Sequence, residues 1–149
     1  MTAGQTISVD TRDVLPLLKA LQGVEAELRS NANRRLRSAA GECARELITE
    51  LQAAAGRSPT PQAALVARVA KVSSDRVPAV KLGGSRRVGH RRTPAGRLLW
   101  GSERGGAKFA ASPGGSYWIN PTVERFSSSR AADTYRAAVL GVLSDAGVL

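Results

Sequence analysis

The longest regular pattern in the chain is an apolar stripe in its first half. Between Leu21 and Ala54 an apolar residue recurs every three or four positions. That spacing matches the ~3.6-residue turn of an α-helix and places these side chains on one face. The pattern predicts a long helix over Val24–Ala55, which Gly56–Pro59 ends. The stripe consists of Leu21, Val24, Leu28, Ala32, Leu36, Ala39, Cys43, Leu47, Leu51 and Ala54.

Shorter helices are predicted on both sides of this long one. Capping residues before Val14 predict a helix over Val14–Gln22, with a proline tolerated in its first turn. A second proline opens a short helix in Pro61–Val69. Near the C-terminus, Ser127–Ser129 offer N-caps for a helix with a regular apolar face, which Gly147 ends.

The remaining segments favour strands and loops. Gln5–Val9 and Val77–Leu82 are predicted strands, and Pro78 favours an edge position for the second. Gly83–Gly96 has no apolar period and is predicted to be an exposed, mobile loop. Gly101–Gly115 is also loop-like, and Tyr117–Ile119 is a compact β-prone run before Asn120 and Pro121.

Together these elements predict an α+β fold. The long N-terminal helix and the C-terminal helix would pack on a small, mostly antiparallel sheet, with a long basic loop at about 83–97. A length of 149 residues predicts a single domain over 1–149. Aromatic residues make up 4% of the chain, so the core is expected to be aliphatic.

The net charge of +10 is concentrated in one stretch. Residues 81–108 hold eight basic side chains and one acidic one, whereas residues 24–55 are neutral. A polyanion or an acidic protein surface is the natural partner of such a stretch. The alternative is a solvated loop whose charge only aids solubility. The candidate contact residues are Arg86, Arg87, Arg91, Arg92 and Arg97.

The residues that carry catalysis or bind metals are scarce. The single histidine, His90, lies in the arginine-rich loop, a poor place for a positioned base. The single cysteine, Cys43, lies on the apolar stripe and is expected in the core. Glu42, Glu46 and Glu50 follow the spacing of a solvated helix face. We therefore expect no catalytic residue, no cofactor and no metal, and a protein that is not an enzyme.

Nothing in the sequence predicts a membrane segment. No run approaches the ~20 apolar residues that a membrane-spanning helix needs. The first twenty residues also lack the apolar core of a signal peptide. The expectation is a soluble protein of the cytoplasm, or of a particle assembled there.

Two short motifs resemble a known family. Leu98-Leu-Trp-Gly-Ser-Glu103, then a glycine-rich stretch and Tyr117-Trp-Ile-Asn-Pro-Thr122, look like the neck and tail-completion proteins of long-tailed phages. In that family a Trp-Gly-Ser-Glu motif precedes a loop, a Trp-x-x-Pro strand and a C-terminal helix. The order of the upstream elements is also similar, so the resemblance covers roughly Asp10 to Val148. Arg104 departs from the pattern, because family members tend to place an aromatic or similarly bulky residue there.

The resemblance implies a structural virion protein. Such a subunit forms a ring, usually of six copies, at the head–tail junction, as a tail terminator, tail-completion protein or neck connector. Its partners would be other copies of itself, an adjacent neck or connector ring, tail-tube proteins and the DNA that passes through the channel. The particle would be assembled in the host cytoplasm.

The resemblance also gives four residues a role in the core or in a subunit interface: Trp100, Glu103, Trp118 and Pro121. Glu103 could pair with an arginine of its own loop or of the next subunit. The basic loop could contact the DNA or dock on an acidic patch of an adjacent ring, and docking is the favoured hypothesis. A basic nucleic-acid-binding module is the alternative function, and an enzyme of unrecognised type is the weakest hypothesis.

Overall fold

The computed structural model describes residues 4–105 and 117–149, and it has the predicted α+β architecture. Helices are α1 (Leu15–Lys19), continued by a 3-10 turn (Ala20–Gly23), α2 (Ala26–Arg57), α3 (Pro61–Arg68), α4 (Ala95–Arg104), α5 (Asn120–Phe126) and α6 (Arg130–Asp145). Strands are β1 (Gly4–Ser8), β2 (Lys71–Val72), β3 (Ala79–Gly83), β4 (Arg87–Val88) and β5 (Thr93–Pro94).

The long helix α2 is the centre of the core, as the apolar stripe predicted. Leu36, Leu47 and Leu51 are fully buried on its inner face. That face packs against α3, α5, α6 and the β3 strand. Alanine and cysteine fill the positions between the leucines, so the neighbouring helices can approach closely. Leu28 is the exception, because it lies in the first turn and is 45% exposed.

The predicted C-terminal helix α6 is confirmed, together with its serine N-cap and the glycine that ends it. The Ser129 hydroxyl accepts a hydrogen bond from the Ala132 amide at 3.2 Å, which caps the first turn. Gly147 takes a φ of 77°, the left-handed conformation that commonly ends a helix. The Tyr135 hydroxyl donates to the Arg76 carbonyl at 2.6 Å and ties the helix to the segment before β3.

The main sheet is antiparallel in the order β1–β3–β2. The edge position that Pro78 suggested is therefore wrong, because β3 is the central strand. Pro78 precedes the strand and needs no ladder donor there, and its carbonyl accepts from the Val9 amide at 3.1 Å. A second, two-stranded sheet pairs β4 with β5.

The predicted long basic loop contains a short hairpin. Arg87 pairs with Pro94 and Val88 with Thr93. The Ala95 amide donates to the Arg86 carbonyl at 2.8 Å, which carries the pairing beyond the strands. Residue 97, expected in the loop, lies in α4. The loop prediction was too long at its C-terminal end, whereas its mobility stays a prediction.

Two predictions around the family-like motifs were wrong. Tyr117–Ile119 is not a strand; it leads directly into α5, with Pro121 in the first helical turn. The segment from Gly101 begins as helix, because α4 continues to Arg104 and ends at Gly105 with a φ of 91°. The rest of the predicted loop, residues 106–115, lies outside the described residues.

The buried face of α2 gives a direct test of the core. Leu47→Ala should lower the free energy of unfolding by about 2–5 kcal/mol, since it removes a fully buried side chain and leaves a cavity. Leu28→Ala is the matched control, because it makes the same change in the same helix at an exposed position. Urea unfolding followed by circular dichroism measures both. If both variants lose the same free energy of unfolding, the assignment of Leu47 to the buried face of α2 is wrong.

Candidate functional site

The two family-like motifs meet at the buried side chain of Glu103. Glu103 lies in the last turn of α4 and has no exposed surface. Its Oε2 accepts a hydrogen bond from the Ile119 amide at 2.7 Å, and its Oε1 accepts one from the Asn120 amide at 3.0 Å. These amides are at the N-terminus of α5, where the backbone leaves donors without helical partners. Glu103 therefore caps a helix whose N-cap residue, Ile119, lies 16 residues later in the chain.

Ser102 and Trp118 make a second contact between the same segments. The Ser102 hydroxyl donates to the Leu99 carbonyl at 2.7 Å and accepts from the indole Nε1 of Trp118 at 3.1 Å. Trp118 is 3% exposed, so its ring lies in the core while its N–H is satisfied. We call this set the motif junction: Ser102, Glu103, Trp118, Ile119 and Asn120.

The second motif is also bonded within itself. The Thr122 hydroxyl donates to the Trp118 carbonyl at 2.7 Å across the first turn of α5. The Tyr117 amide donates to the Glu103 carbonyl at 2.9 Å. The first bond shapes the start of α5, and the second holds the chain that enters α5 against the end of α4. The junction is therefore closed by main-chain bonds as well as by side chains.

Pairing of Glu103 with an arginine of the next subunit stays a prediction, whereas pairing within its own loop is not found among the described residues. Both carboxyl oxygens bind backbone amides instead. The sequence signal that could have revealed this is Pro121, which marks a helix start just as Pro61 does. Because the sequence analysis predicted no helix at Pro121, it offered no helix N-terminus for Glu103 to cap, and the basic neighbourhood of Glu103 suggested an ion pair instead.

The other three motif residues lie in different environments. Trp118 belongs to the core, Trp100 is half-buried, and Pro121 is exposed in the first turn of α5. The guanidinium of Arg104 stands over the Trp100 ring, 4.7 Å from its centroid. This cation–π contact links two side chains of α4 and covers part of the half-buried indole.

The basic hairpin, residues 84–96, carries exposed arginines on a fixed base. Val88 and Ala95 are buried and form a small apolar cluster with Val69. A Cβ added at Gly89 would lie 3.1 Å from the Leu65 side chain, so the turn sits close against α3. Arg86, Arg87, Arg91 and Arg92 are all exposed, and none of the described residues forms an ion pair with them.

The hairpin, α3 and α4 enclose an open groove of about 740 Å³. Leu65, Val88 and Leu98 supply its apolar surface, and Arg91 and Arg97 supply positive charge. The buried Gln62 Oε1, also in the lining, accepts no hydrogen bond from the described part of the chain. Of the five predicted contact arginines, the structure thus brings Arg91 and Arg97 to one groove.

On α2, three exposed carboxylates form what we call the acidic ridge: Glu42, Glu46 and Glu50. Glu42 and Glu46 border a groove of about 250 Å³ between α2 and α6. None of the ion pairs among the described residues involves this ridge. The sequence predicted a solvated helix face here, and its position beside a groove could not be read from spacing alone.

Cys43 and His90 lie on different elements and in different environments. Cys43 is buried, and burial together with the charge of Glu46 raises the pKa of its thiol to about 11. His90 is exposed in the hairpin turn, between arginines. The described residues contain no group of three or more side chains that could hold a metal ion.

Comparison of the chain with protein-family models, with curated proteins and with solved structures found no match. Among the helices of the described residues, none combines the length and the apolar character needed to span a membrane.

Replacing Glu103 tests the motif junction. In Glu103→Gln one buried oxygen becomes an NH₂ group that faces a backbone donor, so one amide of α5 loses its acceptor. We expect the free energy of unfolding to fall by about 1–3 kcal/mol. Glu124→Gln, the same change at an exposed position of α5, is the control and should have almost no effect. Chemical unfolding of both variants measures the difference, and equal stabilities would rule out the capping role.

Cys43 should be inert in the folded protein. At pH 8 a thiol of pKa about 11 holds roughly a hundredfold less thiolate than one at its ordinary value of 9.0. Reaction with a thiol-specific disulfide reagent should therefore be slow in native buffer, fast in denaturant, and faster as the pH rises toward 11. Rapid native labelling at pH 8 would place Cys43 outside the core.

Proposed function

We propose that the chain is a non-catalytic structural protein of a tailed-phage virion. It forms a ring at the head–tail junction, most simply of six subunits, and acts as a tail terminator, tail-completion protein or neck connector. DNA passes through the ring. Its neighbours are the adjacent neck or connector ring and the tail-tube proteins, and the ring is assembled in the host cytoplasm.

The observation that carries the proposal is the motif junction. The resemblance rests on two short motifs, and short motifs can match by chance. Here Ser102 and Glu103 of the first motif bond directly to Trp118, Ile119 and Asn120 of the second. A pair of motifs whose polar groups satisfy each other is one structural unit, and this supports the resemblance to a family that carries both.

The charge distribution favours a role in assembly. The arginines of the basic hairpin stand on an ordered base and have no carboxylate partner among the described residues. Charges presented this way gain charge-assisted hydrogen bonds when an acidic surface arrives. The neighbouring groove adds the partly exposed Leu65 and Leu98, whose apolar surface a DNA backbone would leave unburied. The hairpin is therefore proposed to bind an acidic protein surface.

A basic nucleic-acid-binding module is the second candidate, and the exposed arginines favour it. The described hairpin holds no phenylalanine, tyrosine or tryptophan on which a base could stack, so binding would be mainly electrostatic and indifferent to sequence. DNA affinity measured against salt concentration separates the candidates. Tight binding with a steep salt dependence would favour the module, whereas weak binding is expected for a conduit past which DNA must slide.

The function is tested in phage particles. Arg86, Arg87, Arg91 and Arg92 are replaced together by serine, and particles made with the variant are examined by electron microscopy. Loss of docking should give filled heads and free tails that do not join, because the acidic surface loses its partner. If the arginines instead contact DNA, particles should join and show altered ejection.

The control variant replaces four exposed arginines of α2, Arg34, Arg37, Arg45 and Arg57, by serine and removes the same charge. It should leave joining intact. If particles of the hairpin variant join and eject DNA normally, the arginines neither dock nor contact DNA and serve only solubility. Absence of the chain from purified virions, measured by mass spectrometry, would overturn the function itself.

A further inference from the structure

We infer that the basic hairpin of one subunit docks in the groove between α2 and α6 of a second copy of the chain, with its arginines against the acidic ridge. This inference rests on the proposed function, because it identifies the acidic surface as the next subunit of the ring. The two surfaces are complementary in charge.

The hairpin presents a narrow cationic end. Its turn, Gly89–Arg92, connects β4 and β5, and the three side chains of the turn are one imidazole and two guanidinium groups. The turn is held in shape by a hydrogen bond from the Arg87 guanidinium to the Arg92 carbonyl at 2.8 Å, and by one from the Arg92 amide to the Gly89 carbonyl at 3.2 Å. Little of its conformation has to be ordered on binding, which lowers the entropy cost of docking.

The groove between α2 and α6 presents a floor of small residues and a negative rim. Ala39, Ala131 and Ala138 line it, so another chain can approach the helix backbones closely. Glu42 and Glu46 stand on its α2 side, and Glu50 continues the ridge one turn further.

Arginines of the same subunit lie near the ridge without forming an ion pair with it in the described structure. Arg130 is the one cation that lines the groove between α2 and α6, and Arg125 lies with it beside Glu46 and Glu50. The side chain of Arg45 folds over Gly41, where its Nη1 lies 3.8 Å from the position that a Cβ atom of residue 41 would take.

The two charged surfaces do not satisfy each other within one subunit. No described ion pair joins a hairpin arginine to a ridge glutamate, and the hairpin packs on α3 and α4, whereas the ridge lies beside α6. Exposed opposite charges on different elements of one chain can pair between copies. Such a contact joins two different surfaces, so it is heterologous and closes into a ring when the rotation permits.

A charge exchange tests the contact. In the hairpin variant Arg86, Arg91 and Arg92 become glutamate; in the ridge variant Glu42, Glu46 and Glu50 become arginine. Each variant alone opposes like charges, and its self-association should weaken about tenfold or more relative to the wild-type chain at low ionic strength. Mixed in equal amounts, the variants regain both complementary contacts, so assemblies with alternating subunits should form again. Sedimentation velocity of the full chains measures all four samples.

Disulfide trapping gives a second readout that does not depend on affinity. Cysteines introduced as Arg91→Cys and Glu46→Cys should cross-link between copies under mild oxidation, while the buried Cys43 stays unreactive. Glu46→Cys combined with Arg57→Cys, at the far end of α2, is the control and should give no matching product.

The results separate this contact from the function. Association that neither reversal weakens, or a mixture that fails to recover, would overturn the contact even if the chain is found in virions. A wild-type chain that stays monomeric at millimolar concentration and gives no cross-link would overturn it as well. Loss of DNA affinity in the hairpin variant, with self-association intact, would assign the arginines to nucleic acid. Only absence from the virion would overturn the ring function.

Discussion

The local structure around α4 and α5 depends on one buried carboxyl group that accepts two backbone amides. Without Glu103, the amide of the fully buried Ile119 would have no acceptor, and the Asn120 amide would lose the one it has in the protein. Helix α5 has seven residues and an isoleucine at its N-cap, so its own sequence offers no side-chain cap. The capping group must come from elsewhere in the chain, and this requirement fixes α4 against α5. Trp118 can then occupy the core with its N–H bonded to Ser102.

A second feature is the separation of charge over the surface. The hairpin carries arginines that form no ion pair in the described structure, and α2 carries the acidic ridge beside α6. The ion pairs that do form within the described chain use Asp10, Asp13, Asp133 and Asp145 instead. Exposed pairs of this kind add little stability. The charges that remain unpaired are more informative, because they are available to a partner.

The elements that sequence predicted well are those whose signals are local. The stripe of α2 repeats with the helical period, and α6 has a serine cap and a terminal glycine within its own segment. The Tyr117–Ile119 run failed because its aromatic composition favours a strand, while the helix that follows is started by Glu103 from 16 residues away. The hairpin was missed because Val88 is its only strand-like apolar residue between arginines and glycines. Burial of Glu103 and the groove beside the ridge are properties of packing, so no spacing rule could reveal them.

The turn of the basic hairpin illustrates how side-chain chemistry and backbone geometry can compete at one position. Arg92 has a φ of 49°, in the left-handed region of backbone conformations. Glycine adopts this conformation without strain, whereas for other residues it costs of the order of 1 kcal/mol of conformational energy. A glycine there would relax the turn but remove a guanidinium from the end of the hairpin. The chain thus has a charged residue at a position where the backbone conformation alone would favour glycine. Selection for greater thermal stability would favour glycine at position 92, whereas selection for surface charge would favour arginine.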